Sequence, residues 1–269
     1  MLPAPNHSSR PAETLAIPGL SEGAPYFSRL SARSALYPEF HQLVSIQGEV
    51  LESAAYRKLV VDDNCLSKTS MSARVKHWQE LKSRYRLDAS DPLFVAFFKE
   101  WQRCRSEPER SLTAYVLWAL NDRLVADLGM EWLFPLLRRA PAEVRLADVT
   151  AFIERAFRKH PEAKDWSSET RLAVAQKYLS SIRDFGLAQG TVRKTSLRPA
   201  LYGPPIRLLV RALRLGGIAP LGIVQSPAFK LLCLDTTEVI EALGELNRTG
   251  ALRFRMQADI VEIDVEGPH

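Results

Sequence analysis

Apolar residues recur along most of this chain at the three- and four-residue steps of amphipathic helices, and from about Ser34 onward that pattern is almost continuous. Val50, Leu51, Ala54, Leu59 and Val60 predict one helix within residues 48–61, ended by Asp62-Asp63-Asn64. Met71, Val75, Trp78, Leu81 and Tyr85 form a second stripe, with Lys76, Glu80 and Arg84 opposite it as a largely basic outer face. Asp91-Pro92 is an N-cap followed by a first-turn proline, opening a strongly apolar helix through Phe94, Phe97, Phe98 and Trp101. Another apolar helix is expected from Glu107 to Leu128, and Pro135 splits or kinks the stretch after it. Residues 149–160 give a further helix stopped by Pro161. Ser167-Ser168 caps one that Gly186 ends, with Leu172, Ala175, Leu179 and Ile182 inward and Lys177 and Arg183 in solvent.

Period-two alternation appears twice. Residues 187–197, with Gln189-Gly190 in the middle and Arg193-Lys194 beyond, read as a short basic hairpin after a helix, the order of a wing. Pro204-Pro205 then starts a helix whose Arg207, Arg211 and Arg214 fall within an arc of about 60°; the expectation is an outer arginine face. Asp235-Thr-Thr-Glu238 is a capping box, and after that helix Leu252, Phe254 and Met256 alternate with charged or polar residues, as do Val261, Ile263 and Val265. A helix followed by a terminal hairpin is either a winged helix or a plain closing hairpin. The first 33 residues hold Pro3, Pro5, Pro11, Pro18 and Pro25 and read as a flexible tail or a strap over the domain. Residues 34–185 form a helical part and 186–266 a basic winged-helix-like part, or 34–266 is one continuous domain.

Charge changes this picture. Residues 185–234 contain no Asp or Glu and seven basic side chains, whereas outside them 29 basic residues face 31 acidic ones. The whole positive excess therefore belongs to one segment. A second cluster, Lys68 to Arg86, has only Glu80 as an acid. Such localisation is the footprint of a polyanion partner, because neutralising phosphates releases counterions; a solvated face balanced by acids elsewhere in the fold is the other reading.

Recognisable catalytic chemistry is missing from the pattern. Gly186-Leu-Ala-Gln-Gly190 lacks the spacing and the Lys-Ser/Thr of a phosphate loop. The histidines His7, His41, His77, His160 and His269 are scattered, so no metal or cofactor is expected, and no Gly-x-Ser-x-Gly elbow occurs. Cys65, Cys104 and Cys233 form no Cys-x-x-Cys pair and read as structural thiols in a reducing cytoplasm. The five tryptophans sit at helical spacing and read as core. Residues 215–229 are uncharged, but their two prolines and three glycines bar a bilayer span, so no membrane role is expected.

The phrases Lys68-Thr-Ser-Met-Ser-Ala-Arg through Trp101, Trp166-Ser-Ser-Glu-Thr-Arg-Leu, Ile182-Arg-Asp-Phe-Gly-Leu and Leu197-Arg-Pro, in that order before a terminal hairpin, resemble the BrxA family of bacteriophage-exclusion (BREX) defence systems. The resemblance covers residues 34–266 and leaves the first 30 as an addition. It implies a mainly α protein, a multi-helix bundle compared in fold with the helical antitermination factor NusB; the resemblance further implies that this protein binds DNA, has no catalytic activity and works beside other defence proteins. It supplies no site residues. Charge alone nominates Lys68, Lys76, Arg84, Lys177, Arg193, Lys194, Arg198, Arg207, Arg211 and Arg214 as contacts to duplex DNA, with weak sequence preference since few Asn or Gln share those faces. The alternative is an adaptor whose basic segment docks on an acidic protein of the same complex.

Overall fold

Local caps start the helices close to where the sequence places them. In the computed structural model, which describes residues 14–265, the chain is mainly α with two small antiparallel sheets. The helices of its first half are α1 (Tyr37–Ser45), α2 (Ser53–Arg57), α3 (Met71–Tyr85), α4 (Pro92–Trp101), α5 (Glu107–Asn121), α6 (Arg123–Asp127) and α7 (Phe134–Arg138). Strand β1 (Glu143–Val144) precedes α8 (Leu146–Ala156) and α9 (Ser168–Asp184), and β2 (Ala188–Gln189) and β3 (Lys194–Ser196) follow. The chain then forms α10 (Gly203–Leu215), α11 (Pro220–Val224) and α12 (Thr236–Arg248), and ends in β4 (Arg253–Gln257) and β5 (Ile260–Asp264).

Three of the short phrases quoted above prove to be helix ends, while Leu197-Arg-Pro lies in the loop between β3 and α10. Ser70 Oγ accepts the Ala73 N–H at 3.1 Å to start α3, and Ser167 Oγ accepts the Thr170 N–H at 3.2 Å to start α9. Gly186 stops α9 with φ of +76°, which lets the Leu187 N–H reach the Ile182 carbonyl at 2.8 Å. Asp91 caps α4 through the N–H groups of Leu93 and Phe94, and the capping box at Asp235 and Glu238 is complete.

Two expected helices are divided. The one expected across 48–61 starts only at Ser53 and passes into a π-helical turn at Lys58–Asp62. The one expected from Glu107 to Leu128 breaks at Asp122, whose carboxylate caps a new helix through the Val125 N–H. A π-helical turn, Leu128–Leu133, then runs directly into α7, whose second residue is Pro135. Every residue from Ser111 to Leu120 of α5 is buried, so this helix is the centre of the molecule; α10 packs against both α4 and α5. Four of the tryptophans (Trp78, Trp101, Trp118, Trp132) are buried in one hydrophobic cluster, and Trp166 packs on its edge.

Residues 14–33 cross this core as a strap, while residues 1–13 and 266–269, with His7 and His269, lie outside the described residues. The Leu15 N–H bonds the Leu215 carbonyl at 2.9 Å, and Gly19 lies so close to α5 that a Cβ would stand 2.0 Å from the Ala119 carbonyl oxygen. Tyr26 is the strap's latch. Its ring stacks on His160 at 3.7 Å, its hydroxyl donates to Asp127 at 2.8 Å, and its N–H donates to Glu162 at 2.6 Å. Burial and the adjoining Asp127 push the Tyr26 hydroxyl far above its ordinary pKa, which keeps it a donor. Arg123 also bonds Asp127, through Nε at 2.9 Å.

Candidate nucleic-acid interface

The three arginines of α10 do share one face, but that face points inward, correcting the outer placement expected from periodicity. Arg207 Nε lies 2.9 Å from Glu100 Oε2 and Arg211 Nε lies 2.7 Å from Glu100 Oε1, with both arginines buried and Glu100 fully so. Each then donates through Nη2 to the Val265 carbonyl, at 3.1 and 2.9 Å. Arg214, half-exposed, donates to the Ile263 carbonyl at 3.2 Å and faces Asp264 at 3.7 Å. These arginines therefore clamp the outer edge of β5 and hold the C-terminal hairpin on the bundle. Carboxylates and backbone carbonyls from distant parts of the chain satisfy them, so no acid had to lie near them in sequence.

Arg84 is corrected in the same way. It is buried, pairs with Glu80 and donates to the carbonyls of Ser34 at 3.1 Å and Arg33 at 2.9 Å, tying α3 to the end of the strap. Lys68 pairs with Glu39 at 3.1 Å. Arg198 lies 2.6 Å from Glu238 Oε1, and Arg138 at the end of α7 pairs with the same carboxylate and, at 3.3 Å, with Asp235. Although partial burial acts to raise the Glu238 carboxyl, the bond from Arg138, the Asp235 N–H and Arg198 together pull it from its usual 4.5 to about 2. A depressed carboxyl stabilises the fold above its unfolded value, and that contribution disappears as pH falls toward about 2. Glu238→Gln is expected to lower stability at neutral pH, by about 3 kcal/mol at most, and to flatten the acid limb of a urea-unfolding series between pH 4.5 and 2; an unchanged acid limb would contradict this clamp.

What remains of the predicted set is smaller: Arg193 and Lys194 share one projection, and Lys76 and Lys177 lie on separate helices. Strands β2 and β3 pair as expected, with Ala188 opposite Ser196, and the sheet gains β1 on its other side, with Glu143 opposite Thr195. Two residues of strand carried no periodic signal that could have announced β1. At the hairpin tip Val192 is 95% exposed and Arg193 is exposed, making no ion pair among the described residues. Lys194 donates to the Thr191 carbonyl at 2.8 Å and braces the turn. Beside this sheet the chain from α7 into β1 adds exposed Arg138, Arg139 and Arg145, the last paired with Glu143; the acids interspersed there hid them from a search for acid-free segments. Lys76 is exposed on α3, and Lys177 is half-buried on α9.

The family model BrxA matches residues 24–212, well over half of the chain. The chain belongs to the BrxA family. No curated protein matches it. The BrxA match takes in the strap from Ala24 onward, earlier than the start at residue 34 expected from the phrases, and ends within α10, before Arg214 and the C-terminal hairpin. BrxA membership implies a role in BREX defence against phage. Among the described residues no helix is long and apolar enough to cross a membrane.

The thiols are internal or inert. Burial pushes Cys104 up to about 11 and raises Cys65 and Cys233 as well, so none is a ready thiolate.

Proposed function

We propose that this BrxA protein is a non-enzymatic DNA-binding accessory component of its defence system, acting in the cytoplasm on duplex DNA, with the β2–β3 hairpin as its leading contact. The observation that carries the reading is the acid-free tip, where Arg193 projects beside a brace made by Lys194 while most of the other nominated cations are held in ion pairs. Phosphate contacts of this kind give salt-dependent, sequence-tolerant binding. Fluorescence anisotropy against a random duplex, at low salt and at about 0.2 M, is the test. Reversing Arg193 and Lys194 to Glu is expected to weaken low-salt affinity about tenfold or more without changing thermal stability. Undiminished affinity in that variant removes the hairpin from the interface, and no binding by the wild type at low salt removes the DNA reading. A nuclease assay with added divalent metal tests the non-enzymatic part.

The adaptor reading draws on the other hairpin. Arg253 faces Asp264 and Arg255 faces Glu262 across β4–β5, Asp259 in the turn leaves the hairpin with one acid in excess, and near the tip Ile260 is 73% and Met256 41% exposed. A ladder of paired charges with an excess acid and exposed apolar side chains near its tip suits a protein surface better than a phosphate backbone. Binding to a defence partner that persists as salt is raised, without duplex binding, would favour it.

A further inference from the structure

A cleft of about 760 Å³ opens between the end of α4, the first turn of α10 and the turn that follows α12. Arg103, Arg105 and Arg207 line it against a single carboxylate, Glu109. Glu109 is already engaged, accepting the Arg105 backbone N–H at 2.5 Å. The exposed Arg105 guanidinium makes no ion pair among the described residues. Arg207 forms the inner wall, held in place by Glu100 and by the Val265 carbonyl.

Glu100 holds Arg207 at 2.9 Å and Arg211 at 2.7 Å, and Arg103 lies 3.6 Å from the same carboxylate. Burial draws the Arg207 guanidinium below its ordinary pKa despite Glu100, with the neighbouring Arg103 and Arg211 adding to the shift. A guanidinium has five N–H donors, and the Arg207 bonds to Glu100 and Val265 use Nε and Nη2. An anion entering beside Arg207 would meet a fixed donor at the back and two exposed arginines at the mouth. Tetrahedral oxyanions fit such forks because each oxygen accepts from a different N–H.

We propose that this cleft binds a phosphoryl group, with Arg207 as the preorganised inner donor and Arg103 and Arg105 closing on it from the rim. The proposal does not rest on the β2–β3 hairpin, which is a different surface. Two sources share the chemistry: a small phosphate compound, and the phosphorylated end of a nucleic acid strand.

Calorimetric titration of the full chain with inorganic phosphate, at fixed ionic strength in chloride, gives the first arm. The second compares a 5′-phosphorylated short single strand with its 5′-hydroxyl twin. Saturable phosphate binding is expected in the wild type and in the Arg193→Glu/Lys194→Glu protein, with the dissociation constant rising about tenfold or more in Arg105→Glu. Arg103→Gln serves as a second variant with the same expectation. Preference for the 5′-phosphorylated strand would assign the site to strand ends; equal binding of the two strands, with phosphate retained, would assign it to small phosphates. No phosphate binding by the wild type, or undiminished binding in both rim variants, would overturn the proposal.

Discussion

Glu100→Ala is expected to cost about 3–5 kcal/mol, because it removes the buried carboxylate that Arg207 and Arg211 share. Against a typical domain stability of about 5–15 kcal/mol, that is a large fraction. The loss should be centred on the C-terminal hairpin, since the same guanidiniums hold the Val265 carbonyl. Urea unfolding would give the size of the effect, and amide hydrogen exchange in β4 and β5 would give its place. Charge reversal of Arg207, Arg211 and Arg214 together should likewise unfold this end of the molecule, so reduced DNA binding in that triple variant would say nothing about the interface. Replacing Glu100, Arg207 and Arg211 together by Met should recover much of the single-variant loss, because no buried charge is then left alone. A Glu100→Ala protein within 1 kcal/mol of the wild type would refute the clamp; about 1 kcal/mol is what an ordinary neutral hydrogen bond contributes.

Asp127→Ala should have a comparable effect at the strap. Asp127 is 3% exposed and collects the Tyr26 hydroxyl at 2.8 Å, Arg123 Nη2 at 2.7 Å and, more loosely, His160 Nε2 at 3.6 Å. Removing it leaves a largely buried guanidinium and a buried phenol without their acceptor, a loss of about 3–5 kcal/mol for the charged pair alone. Asp127→Asn keeps an acceptor for Tyr26 and should lose less. The strap is the element expected to respond first, so limited proteolysis should cut within residues 14–33 of the alanine variant and spare the wild type. Equal resistance in the two proteins would mean that Gly19 against α5 and Leu15 on Leu215 suffice to hold it.

Much of the helical architecture was legible in the sequence because its signals are local. Ser70, Asp91, Ser167 and Asp235 cap backbone N–H groups two or three residues away, and Gly186 closes a helix with its own positive φ. The register of both hairpins follows from alternation and turn residues, which are also local. The breaks were less visible. Asp122 looks like any polar residue on a helix until its carboxylate is seen to cap α6, and β1 exists only because β3 lies beside it.

The candidate site was the least legible part. An acid-free segment has no sequence neighbour to neutralise it, and that was its attraction as a polyanion surface. The neutralising groups come instead from across the fold: Glu100 lies 107 and 111 residues from its two arginines, and Glu238 lies 40 from Arg198. Carbonyl acceptors carry no sequence signature at all. Arg193 and Lys194, at the end of the β2–β3 hairpin, stayed near the surface as the charge pattern predicted, as did Lys76 on α3.

The sequence by itself determined the helical class, the caps, the two hairpins, the resemblance to BrxA and the fact that three arginines of α10 share a face. Tertiary structure alone decided which way that face points. Periodicity fixes the angle between side chains on one helix, whereas inside and outside are assigned by what packs against it. Here Glu100 of α4 and the carbonyls of β5 arrive from distant parts of the chain, and together they make it favourable to bury two cations that the local pattern marked for solvent.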